Sequence, residues 1–137
     1  MPEKRTLERA RRDAREGKSP TTQAGEFVRE EIHHVREGKH GARSAKQAIA
    51  IGLSKARRAG VPLPPPPKGT TSARTRKSAS AAYRAGQRGK RKTSARRARA
   101  TERALKREPR RAASHSALSR QAKTAARHRK SPARRAA

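Results

Sequence analysis

Apolar residues recur at helical spacing in one short stretch of this chain and almost nowhere else. Ala24, Phe27, Val28, Ile32 and Val35 follow at intervals that predict an amphipathic helix, with the hydroxyls of Thr21 and Thr22 placed to cap its start. Gly38 stands where a C-cap glycine belongs. After Gly41, Ser44 and Gln47 match a capping box, and a second helix is predicted from about Ala45 to Ala59, stopped by Gly60. Ile49 and Leu53 share one of its faces. Ile51 points elsewhere, as an ordinary surface aliphatic or as a contact for a partner or second copy. Val61 and Leu63 fold back on the pair before Pro62 and Pro64 to Pro67 enforce an extended spacer. Residues 21–63 therefore read as a helical hairpin.

The flanks lack this periodicity. Within segment 1–20, residues 3–16 predict a charged helix, with Glu8 four residues before Arg12 and Gly17 and Pro20 beyond its end. Leu7 is its only large apolar residue, so it is expected to order only against a partner. Residues 64–69 form a proline-rich linker. Residues 70–137 mix basic, alanine and hydroxyl positions with no fixed repeat, which predicts disorder in the free chain. Ser94 to Glu108 and Ser116 to Lys130 are strong helix formers that phosphates would allow to coil, with Pro109 dividing them. The expected fold class is mostly α with extensive disorder: charged N-terminal helix, small helical hairpin, proline linker, and a disordered basic tail with inducible helices.

Composition sharpens this picture. Leu, Ile, Val and Phe total 12 of 137 residues, below the roughly 20% under which a strongly charged chain is expected to be disordered. Nine of the 12 lie between Phe27 and Leu63, so any core is there. For about 40 ordered residues, burial and entropy nearly cancel, so the hairpin is expected to need a partner, self-association or a bound anion. The absence of cysteine excludes disulfides and thiolate metal sites. No apolar run is long enough for a signal-peptide core or a membrane span, and a cytoplasmic protein is expected.

Charge then points to the ligand. The formal net charge is +29, and from Lys68 to Ala137 there are 24 Lys and Arg against two acids, Glu102 and Glu108. Such a segment calls for a polyanion, and nucleic acid is the first candidate. The expected phosphate ligands are Lys39, Arg43, Ser44, Lys46, Lys55, Arg57 and Arg58 in the hairpin. In the tail they are the pairs Arg96/Arg97, Arg110/Arg111 and Arg134/Arg135. A solubilising tail without a partner is the plainer alternative. Tyr83 is the tail's single aromatic residue, so base stacking and sequence readout are not expected.

The loop Gly38-Lys39-His40-Gly41-Ala42-Arg43-Ser44 brings two glycines, basic side chains and a helix N-terminus together, a pattern suited to clamping a phosphate. It resembles the Gly-x-x-Gly clamp of KH domains and the glycine turn of helix-hairpin-helix proteins. It departs from the first in having no strands and from the second in carrying Lys39-His40 between its glycines. The alternative is a tight turn between two helices. His33, His34 and His40 lie near this turn, but only His40 with one neighbour could reach a shared ion, and Glu37 would have to assist. Solvated histidines and no metal are expected. Asp13 is the only aspartate and no nucleophile has a defined base, so an enzyme is not expected.

Gly25 to Ile32, Glu37 to Gly41 and above all Lys46-Gln47-Ala48-Ile49-Ala50-Ile51-Gly52-Leu53-Ser54-Lys55-Ala56-Arg57 resemble a family of short, basic bacterial proteins of unknown function. The resemblance implies a bacterial source and a small helical module, with no known activity. The tail resembles those of linker histones and bacterial histone-like proteins, and Lys130-Ser131-Pro132-Ala133-Arg134-Arg135 resembles a basic Ser-Pro element. Lys90-Arg91-Lys92 has the composition of a nuclear localisation signal, as chance clusters do in so basic a chain. From Lys68 onward Arg outnumbers Lys by 17 to 7, and Arg binds phosphate bidentately. The expectation is a nucleoid-associated, DNA-compacting protein without sequence choice, cofactor, membrane or small-molecule partner, with DNA favoured over RNA. The alternatives are an RNA- or ribosome-associated protein, or an interaction module that docks a protein or second copy through Phe27, Val28, Ile32, Ile49 and Leu53.

Overall fold

A computed structural model describes residues 2–89 and 94–130 of the chain. Among them are six helices, α1 (Lys4–Arg15), α2 (Pro20–Arg36), α3 (Ala45–Arg58), α4 (Ala73–Arg88), α5 (Ala95–Lys106) and α6 (His115–Lys130), with a 3-10 turn at Arg111–Ala113 and no strand. No helix of the described residues is long and apolar enough to cross a membrane. Arg134 and Arg135, the Ser-Pro element beyond Lys130, and Lys90 to Lys92 lie outside the described residues.

The hairpin forms from its local signals, with one change at its start. Ser19 rather than Thr21 or Thr22 caps α2, its hydroxyl accepting from Thr22 N–H at 3.3 Å, and Pro20 fills the first helical position, where no N–H is needed. Helix α2 ends in a Schellman motif, with Gly38 N–H donating to Val35 C=O at 3.2 Å and Lys39 N–H to His34 C=O at 3.0 Å. Gly38 adopts the positive φ (78°) that this closure requires. Ser44 caps α3 by accepting from Gln47 N–H at 3.1 Å. The Gln47 side chain accepts from Arg43 N–H, one residue earlier than a standard capping box. Gly60 ends α3 in a second Schellman closure, which brings Val61 N–H to Ala56 C=O at 3.1 Å and turns Val61 into the core.

Two small apolar clusters hold the molecule. One gathers Ala10, Ala24, Phe27, Ala56 and Val61, with Leu7, Leu53 and Leu63 against it. The other gathers Val35, Ala42, Ala48, Ala112 and Ala113, with Ile32. Helix α1 therefore has an internal partner. It lies along α2, buries Thr6, Ala10 and Asp13, and ties its start to Glu30, whose carboxylate accepts from the Thr6 hydroxyl at 3.0 Å and from Glu3 N–H. Helices α2 and α3 cross closely at Gly52, where a Cβ would stand 2.6 Å from the Val28 Cα.

The disorder expected over residues 70–137 is not what the described residues show. Helix α4 packs on α3 through Ala79 and Ala82, and its Gly86 sits so close to the Arg57 carbonyl that a side chain there would collide with it. Further on, the 3-10 turn lays Ala112 and Ala113 into the second cluster, and α6 follows against α3. The buried residues on the tail's side of these contacts are all alanines, so the tail docks with almost no large apolar side chain of its own. The strongly helical segments expected at 94–108 and 116–130 are α5 and α6.

Candidate nucleic-acid interface

Helix α5 differs from every other helix described in packing on no other element. It buries no residue, and it opens on Ser94 without a side-chain cap. Arg96, Arg97, Arg99, Arg103, Lys106 and Arg107 are all exposed. Arg96, Arg99, Arg103 and Lys106, spaced at three and four residues, line one shallow groove with Glu102, the only acid on the helix. Glu102 pairs with Lys106 at 3.4 Å, an exposed contact that neutralises little. With nothing inside the protein to bind, these side chains form a cationic rod.

The other expected ligands divide by burial. Arg43, Ser44, Lys46, Arg58, Arg110 and Arg111 are exposed. Arg57 is not, and here the expectation is corrected. Its guanidinium donates from Nε to Leu63 C=O and from Nη2 to Pro64 C=O, both at 3.2 Å, and burial pushes its pKa down. Arg57 thus anchors the proline segment to the end of α3 and has no free face for a phosphate. Lys55 is three-quarters covered and pairs with the buried carboxylate of Glu31. Lys39 is exposed but lies between Glu3, at 3.4 Å, and Glu37, at 3.5 Å, and the first of these raises its pKa.

The glycine loop also differs from a free clamp. Gly41 N–H donates to Leu105 C=O at 2.8 Å and Ala42 N–H to Pro109 C=O at 3.0 Å. A Cβ on Gly41 would run into the Glu108 carbonyl, so the chain passes here only because residue 41 has no side chain. The backbone of the loop's second glycine and of Ala42 is thus held by the end of α5 and the residues after it. Arg110 reaches the Arg36 carbonyl, and Arg36 Nε donates to Ala113 C=O at 2.8 Å, so an exchange of arginines fastens this seam. The sequence carries no signal for this docking, since Ala112 and Ala113 in a basic tract read the same whether buried or solvated.

Acids and histidines gather on the other side of the loop. Glu31 is fully buried, and its Oε2 lies 3.1 Å from His40 Nε2 while Lys55 holds Oε1. His34 approaches Glu3 at 3.0 Å. His34 and His40 are 13% and 12% exposed at their side chains, so the solvated histidines expected here are mostly enclosed, whereas His33 is exposed. Glu31 takes the place beside His40 that was expected of Glu37. Its burial had a readable signal, since Phe27, Glu31 and Val35 repeat every four residues on one stripe of α2 and are the largest fully buried side chains.

The Glu3 carboxyl is held below its usual value near 4.5, first by the hydrogen bond with His34 and then by Lys39. A carboxyl depressed in the folded state adds stability above its ordinary value and loses it as pH falls through the lowered one. Glu3→Gln should therefore show a smaller drop in melting temperature than the parent on acidification through and below that range. The difference is small because Glu3 is exposed, and equal drops in the two chains would refute it.

Residues 15–68, which span the end of α1, all of α2 and α3 and the proline segment, match the model of a family described only as of unknown function (DUF6496). No curated protein and no solved structure matches the chain.

Proposed function

We propose that this chain binds nucleic acid without sequence choice, as a nucleoid-associated, DNA-compacting protein of the bacterial cytoplasm. The observation that carries the reading is α5, a helix with five Arg or Lys side chains, no buried residue and no other helix packed on it, held to the molecule only near its end through the Leu105 carbonyl. Arg107 follows it, and the exposed Arg43, Lys46 and Arg58 of the α3 region and Arg110 and Arg111 extend the cationic surface. Each cation that reaches a phosphate releases a condensed counterion, which drives binding to any sequence. No aromatic residue lies on α5 to stack on a base, and Tyr83 is half-buried in α4. The hairpin acts as the anchor that presents α5. It spends Phe27, Ile32 and Leu53 on its own core, which leaves Val28, Ile49 and Ile51, all half-buried, as the apolar residues open to the interaction-module reading.

Affinities of the full chain for two duplexes of equal length and unrelated sequence test the reading. Equal affinity is expected, with structured RNA a weaker competitor. A strong preference for one sequence would overturn the non-specific mode, and a preference for the RNA would move the protein to the RNA-associated class.

A further inference from the structure

We infer that Glu31, His34 and His40 form a binding site for a single divalent transition-metal ion of the zinc class. His40 carries the argument. Its Nδ1 faces the Gly41 carbonyl at 2.9 Å, and a carbonyl oxygen can only accept, so Nδ1 bears the proton. That leaves Nε2 as the ring nitrogen open to a second partner. It points at Glu31 Oε2, 3.1 Å away, and that oxygen is buried without a hydrogen-bond donor. A buried carboxylate oxygen without a donor thus faces the one ring nitrogen not engaged with the backbone, and a cation shared between the two satisfies both.

The geometry suits such an ion. Two ligands each about 2.0–2.1 Å from a tetrahedral zinc ion stand about 3.3 Å apart, close to this spacing. A ring nitrogen of His34 and one donor atom each of Glu31 and His40 lie within 4.8 Å of one another, which places His34 as a third ligand from α2, while its Nε2 also meets Glu3 Oε1 at 3.0 Å. Glu31 and His34 are one helical turn apart, so α2 presents both to the same point. Lys55 occupies Oε1 of Glu31 and leaves Oε2 as a single donor. The N–H of His40 donating to a backbone carbonyl is the support that orients most metal-binding imidazoles. The Gly41 loop that provides this carbonyl is itself pinned by Leu105. Two imidazoles and one carboxylate are borderline donors that favour zinc over magnesium or calcium, with the fourth position left for water. His34 also joins Glu3 and Glu30 in a neighbouring acidic group, and Lys39 and Lys55 pair with Glu3 and Glu31.

Calorimetric titration of the full chain with Zn2+, after removal of nucleic acid and chelatable metal, tests the site. One ion per chain is expected. His40→Ala and Glu31→Gln should each weaken binding at least about tenfold, as loss of even a supporting residue does at such sites. His33→Ala should bind as the parent does. Co2+ in place of zinc should give the visible absorption of a tetrahedral ion in the parent and lose it in His40→Ala. Should Glu31→Gln fail to fold by circular dichroism, His40→Ala, which lies in the loop between α2 and α3 rather than in a helix, decides the matter. Absence of binding at one equivalent, as for an imidazolium–carboxylate pair that needs no ion, overturns the site. Equal binding by the parent and His40→Ala overturns it too.

Discussion

Replacing Arg96, Arg97, Arg99 and Arg103 by Gln is expected to cost the chain most of its affinity for duplex DNA while leaving its fold intact. The structural half of this expectation follows from α5 burying nothing and packing on no other element, so uncharged helix formers of similar length disturb no contact. The affinity half follows from counterion release, in which four lost phosphate contacts flatten the log–log salt dependence by about 3.6. A fourfold rise in salt should then cost the parent on the order of 100-fold more affinity than the variant. A control removes the same charge elsewhere. Arg5, Arg11, Arg12 and Arg15 on α1 are also exposed, but Glu3, Glu8, Asp13 and Glu16 are interleaved with them. Their replacement by Gln should weaken binding far less. Equal losses in the two variants, measured by fluorescence anisotropy, would show that only net charge matters and that α5 is no interface.

The largest effect on stability is expected from Gly52→Leu. A Cβ at this position already stands 2.6 Å from the Val28 Cα and 2.9 Å from the Val28 N, and backbone cannot yield as a side-chain tip can. Helices α2 and α3 would have to separate, which opens the cluster around Phe27 and Ala56. Overpacking costs typically 1–3 kcal/mol in larger proteins. Here the clusters are built mainly of alanine around one Phe and a few aliphatics, and a core this small leaves a margin of a few kcal/mol at most. Gly52→Leu should therefore lose cooperative thermal unfolding, whereas Gly25→Ala, with open space around its Cβ, should keep it. Retained cooperativity in Gly52→Leu would show that the helices do not cross there.

These two sites mark what the amino-acid order made readable. The hairpin was legible because Phe27, Val28, Ile32 and Val35 repeat with the helical period and because Ser44, Gly38 and Gly60 punctuate it. The cap of α2 was misplaced because three hydroxyl residues adjoin its start, and only Pro20 at the first helical position selects Ser19. Docking of the tail was not legible in hydrophobicity. Ala79, Ala82, Ala112 and Ala113 are buried by close backbone approach at Gly86 and Gly41, and alanine in a basic tract looks the same whether buried or solvated. The cationic surface was legible as charge, but its division was not. Arg57 and Arg58 are neighbours in a helix, yet one is fixed to backbone carbonyls and the other is exposed, a distinction made only by where α3 ends against the proline segment. The pairing of Glu31 with His40 needed the Gly38 turn to bring residues nine apart face to face.

The account rests on phosphate neutralisation by a presented cationic helix, and the salt dependence of binding measures this directly. Log K of the intact chain for a mixed-sequence duplex, plotted against log salt, should fall linearly with a slope of about −5 or steeper, the value for six phosphate contacts. A slope near zero, with affinity retained at high salt, would contradict it.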